Sequence, residues 1–378
     1  MLRKPMSDNQ SKPEQPKAAQ PKRPRRPSAP RSRRQSKQSK AVSRVNPVTW
    51  LFIGLGAVAV VVVLWLVGLD GYRGDSVRVT VPHDATASQV RDSLDVRLGK
   101  SMGKRVYTLW RLMGGTPSKA HGSYLVTRGE MALKIARNLS RGRQTPVTVT
   151  FNNIRTMPQL ADKMASMLDF SSEEFLEACR TVLPPMGFSD ESQYPAAFLP
   201  DSYEFYWTAS AEDVVAKLAG HRNRFWTDER RDRARALGLS PVEVATVASI
   251  AEEETAKKDE RPMVARLYLN RIDRGMKLQA DPTVKYAIGD FSIRRITNSM
   301  LSTPSPYNTY VIKGLPPGPI RIADAATIDG VLNAPRHGYL YMCAREDFSG
   351  YHNFASDYAA HRANAARYRS ELDRRGIK

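Results

Sequence analysis

Residues 240–275 read SPVEVATVASIAEEETAKKDERPMVARLYLNRIDRG, and this stretch decides the character of the folded part. Ser240, Pro241 and Glu243 spell a helix start. A serine at the N-cap accepts from the first turn, a proline at the first helical position loses no bond, and a glutamate three residues past the cap reaches back. The expected helix continues through VATVASIAEEETA, and a second runs from Arg261 to Gly275 with its own early proline. At a helical step of about 100° per residue, Val244, Val247 and Ile250, with Ala251, define one apolar face. Glu254 follows Val247 by two turns and Ile250 by one, which places it within about 40–60° of that face's centre. Glu253 follows Ser249 and Thr246 on the polar side, and Glu252 follows Ala248 and Ala245; both are expected to face solvent. Glu254 is therefore the carboxylate expected to lose hydration. Desolvation penalises the ionised form and raises a carboxyl pKa, as a general acid working near neutrality requires. The competing reading is that Glu254 ends the stripe and pairs with Lys257 or Lys258.

Downstream, loops rich in Pro, Gly and Asn carry KLQADPTVKY, SPYNTY and GLPPGPI. Gln279, Asp281 and Thr283 sit in the first, and Tyr307, Asn308 and Thr309 in the second. Amide, hydroxyl and aromatic side chains of this kind suit sugars, which present hydroxyls at their edges and C–H patches on their faces. Asp-Pro and Pro-Tyr-Asn also initiate turns without any ligand. Leu340–Ala344 reads as a strand and Tyr358–Leu372 as a polar closing helix.

Upstream, Ser76–Pro82 alternates apolar and polar residues as a half-buried strand does. Ala87, Val90, Leu94 and Val96 then recur at roughly helical spacing, Tyr107–Met113 is apolar, Gly122–Val126 reads as a strand and Met131–Leu139 as a helix. This strand–helix–helix–strand unit closes near Gln144. A second strand is expected over Pro146–Phe151, with helices over Met157–Leu168 and Ser172–Val182. Residues 198–207, FLPDSYEFYW, read as a loop, and Ala211–Leu237 as largely helical and highly charged.

The chain has 378 residues and a formal charge of +20. Residues 1–47 carry 14 Lys and Arg against Asp8 and Glu14, and the remainder holds a surplus of 8. A tail of Pro, Gln, Ser, Lys and Arg has little to bury and is expected to stay unfolded. No nucleic-acid-binding motif follows it, and nucleic acid is not an expected partner. Residues 51–69, LFIGLGAVAVVVVLWLVGL, contain no charge. As a helix they would span roughly 28 Å, close to a bilayer's hydrocarbon core. Lys37, Lys40 and Arg44 on the N-terminal flank predict that this side stays in the cytoplasm, with the rest of the chain outside. Cys179 and Cys343 could pair in an oxidising compartment or remain two thiols. No spacing of His and Cys predicts a metal site, and none is expected.

The segments ASIAEEET, ARLYLNRIDRGMKLQADPTVKY, SPYNTY and GLPPGPI, in this order, resemble the endolytic murein transglycosylases of the YceG-like family, over roughly residues 76–375. The resemblance implies an α+β chain with one transmembrane helix at 48–70, a small LysM-like subdomain at 76–144 and a mixed α/β catalytic domain at 145–378; the basic tail at 1–47, expected to be cytoplasmic, is longer than the resemblance requires. The resemblance also implies cleavage of peptidoglycan glycan strands at the cytoplasmic (inner) membrane without a cofactor, and partnership with cell-wall synthases. The family's catalytic glutamate is the second acid of a Glu-x-Glu-Thr element, which falls on Glu254 of Glu252-Glu253-Glu254-Thr255. The implied reaction cuts between N-acetylmuramic acid and N-acetylglucosamine and leaves a 1,6-anhydro end. Hydrolysis with Asp281 as second carboxylate, or a silent wall-binding scaffold, are the alternatives. The chain departs from the family where the strand at 146–151 usually runs into Glu-Gly; here it runs into Asn152-Asn153-Ile154-Arg155.

Overall fold

The computed structural model describes residues 46–67 and 70–377, so the basic tail lies outside the described residues apart from its last two positions. Helix α1 (Pro47–Val67) is 21 residues of almost wholly apolar sequence. Its side chains from Val48 to Trp65 are exposed. At about 1.5 Å per residue it is long enough to cross a bilayer, a test that a signal sequence near the N-terminus also passes.

Beyond it lies a small unit. Strand β1 (Val77–Val81) is followed by α2 (Ala87–Leu98), α3 (Lys100–Leu112), the short α4 (Pro117–Ala120), strand β2 (Gly122–Val126) and α5 (Ala132–Ser140). The two strands pair antiparallel with Val79 opposite Tyr124. Val79, Leu94, Val106, Trp110, Ile135 and Leu139 fill the space between sheet and helices. Helix α2 turns inward through Val90, Leu94 and Leu98. Val96, expected to share that stripe, is 81% exposed, because two residues from Leu94 is about 200° around a helix.

Three side chains fasten this unit to the larger C-terminal part. The Arg78 guanidinium donates to the carbonyl oxygens of Thr145 (3.0 Å) and Pro146 (2.5 Å). His121 Nε2 lies 2.8 Å from Asp169 Oδ2, and the Gln144 amide donates to Thr208 Oγ1 at 2.8 Å.

The larger part begins with β3 (Val147–Phe151), α6 (Met157–Ala165), α7 (Ser172–Val182), β4 (Asp201–Phe205), α8 (Ala211–Phe225) and α9 (Asp228–Ala236). Residues 198–207 are thus not all loop. Tyr203 and Phe205 point inward at alternate positions, and β3 supplies the ladder, with Val149 opposite Tyr203. The charged helical stretch is two helices: Trp226, 1% exposed, leaves the helical path to enter the core, and Thr227 caps the next helix. Leu160, Met164, Phe175, Phe198, Val214 and Leu218 form the first core of this part.

Helices α10 (Pro241–Glu254), α11 (Arg261–Asp273), α12 (Asp281–Ile288) and α13 (Ala325–Leu332) come next, then the antiparallel pair β5 (Tyr341–Ala344) and β6 (His352–Ala355), and finally α14 (Tyr358–Arg374). Helix α12 occupies ground expected to be loop: Pro282 sits in its first turn, where no donor is needed, and Gly289 closes it at φ 78°. The whole is a mostly helical α+β fold with three two-stranded sheets among the described residues. Both cysteines are free, Cys179 fully buried and Cys343 half-buried. Burial pushes the Cys179 thiol up to about 12.

Candidate active site

Helix α10 passes through the second core, packed on α11 and α13, with Val247, Ile250, Val264, Leu267, Ile328 and Val331 around it. Every residue from Val244 to Glu252 is buried. The one-sided stripe inferred from spacing is therefore too narrow a description, since small residues such as Ala248 and Ser249 let neighbours close on the other faces. The start is as expected: Ser240 Oγ accepts from the Glu243 N–H at 3.2 Å, and Glu243 returns the bond to the Ser240 N–H at 2.7 Å. Thr255 ends the helix in extended conformation at φ −135°.

Three glutamates thus crowd a helix C-terminus, where the backbone dipole disfavours negative charge. Each finds a different remedy. Glu252 is only 5% exposed, not solvent-facing as the spacing suggested. Its carboxylate lies 3.0 Å from Arg321 Nε and 3.3 Å from Arg261 Nη1, and accepts the Asp324 N–H at 2.8 Å. Glu253 is also drawn inward. Arg155 holds it with two bonds of 2.9 and 3.0 Å, and Arg321 adds a third of 2.9 Å. Because Arg321 also donates to Asn153, the Asn152–Arg155 segment that departs from the family pattern is bolted to the end of α10.

Glu254 receives no arginine or lysine among the described residues. The pairing with Lys257 or Lys258 is not made; Lys257 lies over the Tyr351 ring. Its hydrogen-bond donor is the Tyr268 hydroxyl of α11, 2.5 Å from Oε1, on a side chain itself buried. Loss of hydration pushes the Glu254 carboxyl up to about 7; the Tyr268 bond opposes this, and the nearby charge of Asp281 adds to it. The residue as a whole is half-buried and lies on the wall of a solvent-filled space.

That space is a cleft of about 920 Å³ lined by Glu253, Glu254, Asp281, Lys285, Arg294 and Arg295, with α14 supplying the far wall through Tyr368 and Arg369. Of the candidate sugar contacts, Asp281 lines this cleft and accepts a 2.6 Å bond from the Tyr310 hydroxyl. Gln279 is exposed, in a left-handed conformation at φ 53°, and accepts from Arg271. Tyr307 is half-buried against the Tyr286 ring, 4.7 Å between centroids.

Thr283, Asn308 and Thr309 are wholly enclosed and present no surface to a ligand. The two threonine hydroxyls meet at 2.8 Å, and the Asn308 amide donates to the carbonyls of Leu301 and Thr303. Their polar atoms knit the two loops together. Spacing overlooked Tyr268, Arg155, Arg321 and the pair of Glu260 with His352 (2.8 Å). Of these, only the excess of acids at a helix end hinted that arginines must come from elsewhere in the chain.

The site is thus a sheltered acid at the end of a buried helix, on the wall of a polar cleft in an α+β frame. The same fold is present in a crystal structure of a yceG-like protein from Listeria monocytogenes, with a TM-score of 0.52 at 23% identity, covering 76% of this chain and 98% of that one. The chain belongs to the YceG-like family, which it matches over residues 79–367. Among its relatives is an endolytic murein transglycosylase of Bacillus subtilis (strain 168), 33% identical over 138 residues, 36% of this chain and 38% of that protein. Another protein of that name, from Streptococcus pneumoniae serotype 2, is 31% identical over 134 residues, 34% of this chain and 24% of the relative. The alignments thus span well under half of either relative's length.

Proposed function

We propose that this chain is a lytic transglycosylase that cuts within peptidoglycan strands, with Glu254 as its acid and base. The observation that carries the reading is the carboxyl pushed up to about 7, held by a tyrosine rather than a cation, on the wall of a cleft large enough for saccharide. Names borne by relatives agree with it.

Protonated Glu254 donates to the oxygen between N-acetylmuramic acid and N-acetylglucosamine, and positive charge develops at the muramyl anomeric carbon. The ionised carboxylate then accepts the proton of the muramyl 6-hydroxyl, whose oxygen closes the 1,6-anhydro ring. The proton returns to Glu254, and no water is consumed. A pKa near neutrality serves both halves, since the group must give and take a proton at one pH. Acid–base help of this kind is worth roughly 10²–10⁴ in rate. In this reading α1 is a membrane anchor at the cytoplasmic membrane, residues 76–144 form a LysM-like subdomain and 145–378 the catalytic domain. Wall synthases would be neighbours.

The full chain in detergent, incubated with purified glycan strands, tests the proposal by product mass. Wild type should leave anhydro ends and Glu254→Gln none; anhydro ends from the variant would overturn the assignment. Asp281 lies on the same cleft, which gives hydrolysis one supporting observation. Products heavier by one water would select it.

A further inference from the structure

We infer that the cationic wall beside Glu254 recognises the carboxylates of the peptides that hang from the glycan strand, so that the cleft reads the substituents as well as the sugar. The inference rests on the proposed action upon peptidoglycan. Lys285 on α12, Arg294 and Arg295 in the loop after it, and Arg369 on α14 all line the cleft that holds Glu254. Among the described residues, none of the four makes an ion pair; the Arg369 guanidinium reaches only the Ala365 carbonyl, at 3.3 Å. Several arginines elsewhere in this part are engaged, Arg155 and Arg321 with Glu253, Arg230 with Asp329, Arg266 with Asp273 and Arg367 with Glu346, while others such as Arg274 and Arg336 are unpaired among the described residues but stand outside the cleft.

The acids of the cleft answer this charge only in part. Glu253 is already matched by two arginines and Glu254 is held by Tyr268, which leaves Asp281, hydrogen-bonded to the neutral Tyr310 hydroxyl, and Asp373 against four cations. Unpaired like charges repel, and a cleft wall on which one sign is in excess draws a ligand of the other. The sugar rings and the bond to be cut are uncharged. Anionic groups enter through the peptide on the muramyl lactyl arm, which ends in carboxylates several ångströms off the glycan axis. Arginine is suited to them, because its planar fork meets a carboxylate with two parallel bonds. Arg294 and Arg295 are exposed, so they can reach out to such a group without first being stripped of water.

The test is equilibrium binding of the full chain in detergent, carrying Glu254→Gln to prevent turnover, to uncross-linked peptide-bearing strands. The same strands with their peptide carboxylates converted to amides serve as the comparison. Unmodified strands should bind about tenfold more tightly, as expected for two or three exposed ion pairs, and the preference should shrink towards unity in Arg294→Gln/Arg295→Gln. Equal binding of the two strand preparations, or a preference that survives the double substitution, would overturn the inference. Competition by glycerol 3-phosphate with indifference to amidation would assign the cations to lipid headgroups and overturn it as well. Cleavage by wild type is scored separately: anhydro products with no carboxylate preference would sink this inference alone, whereas carboxylate-dependent binding without any cleavage would sink only the catalytic reading.

Discussion

Glu254→Gln should stabilise the folded chain at alkaline pH and leave it nearly unchanged in acid. The carboxyl rises from an ordinary 4.5 to about 7 on folding, chiefly through lost hydration. Below about pH 4.5 the group is protonated in both states, and its stability contribution is complete. Between there and pH 7 the unfolded chain ionises freely while the folded one resists, so stability drains away as pH rises. A shift of this size corresponds to about 3 kcal/mol, fully lost above the folded pKa. Glutamine has the same shape, can still accept the Tyr268 hydroxyl and never ionises. The difference in unfolding free energy, variant minus wild type, should therefore grow by about 3 kcal/mol from pH 4 to pH 8. Urea unfolding followed through tryptophan fluorescence measures it, since Trp226 is buried in the core that surrounds α10. Parallel curves for the two proteins across that range would refute the reasoning, because a carboxyl that ionises without cost in the folded state would be an ordinary surface acid.

On the proposed mechanism, in which protonated Glu254 starts the reaction, the rate of glycan cleavage should fall on the basic side with a midpoint near 7, read from initial rates across pH. Tyr268→Phe removes a bond that favours the ionised form, so that midpoint should move up, by about a unit or less, with the fold retained. Arg321→Met strips Glu252 of its nearest guanidinium in a buried setting and should cost about 3–5 kcal/mol in urea unfolding. Thr283→Val removes the hydroxyl that meets Thr309 Oγ1 and accepts the buried Thr309 N–H, and should cost about 1–3 kcal/mol in the same measurement.

Local signals were the legible ones. The capping box at Ser240, the prolines opening α10 and α11, and the strand alternation at 77–81 and 147–151 each depend on neighbours within a few residues, and each was realised. What escaped depends on partners far along the chain. Strand β4 was hidden because Pro200, Asp201 and Glu204 argue for a loop until β3 lies alongside. Glu252 and Glu253 looked solvated because the arginines that draw them inward, at 155, 261 and 321, cannot be matched to them by spacing. The same holds for Thr283, Asn308 and Thr309: polar types in loops suggest ligand contacts, yet their mutual bonds consume them. Glu254 was singled out for the right property through an incomplete argument, since its shelter comes from Tyr268 and the surrounding helices more than from one helical face.

Strand β3 is gripped at both ends. Before it, Arg78 of the small unit clasps the backbone at Thr145 and Pro146; after it, Arg155 and Asn153 are locked to the end of the helix that bears the acid. Five extended residues span about 17 Å, so the strand acts as a short strut between the two parts. These bonds set the separation between the small unit and the helix end that carries Glu253. Splicing slack glycine-rich chain into that junction would release it.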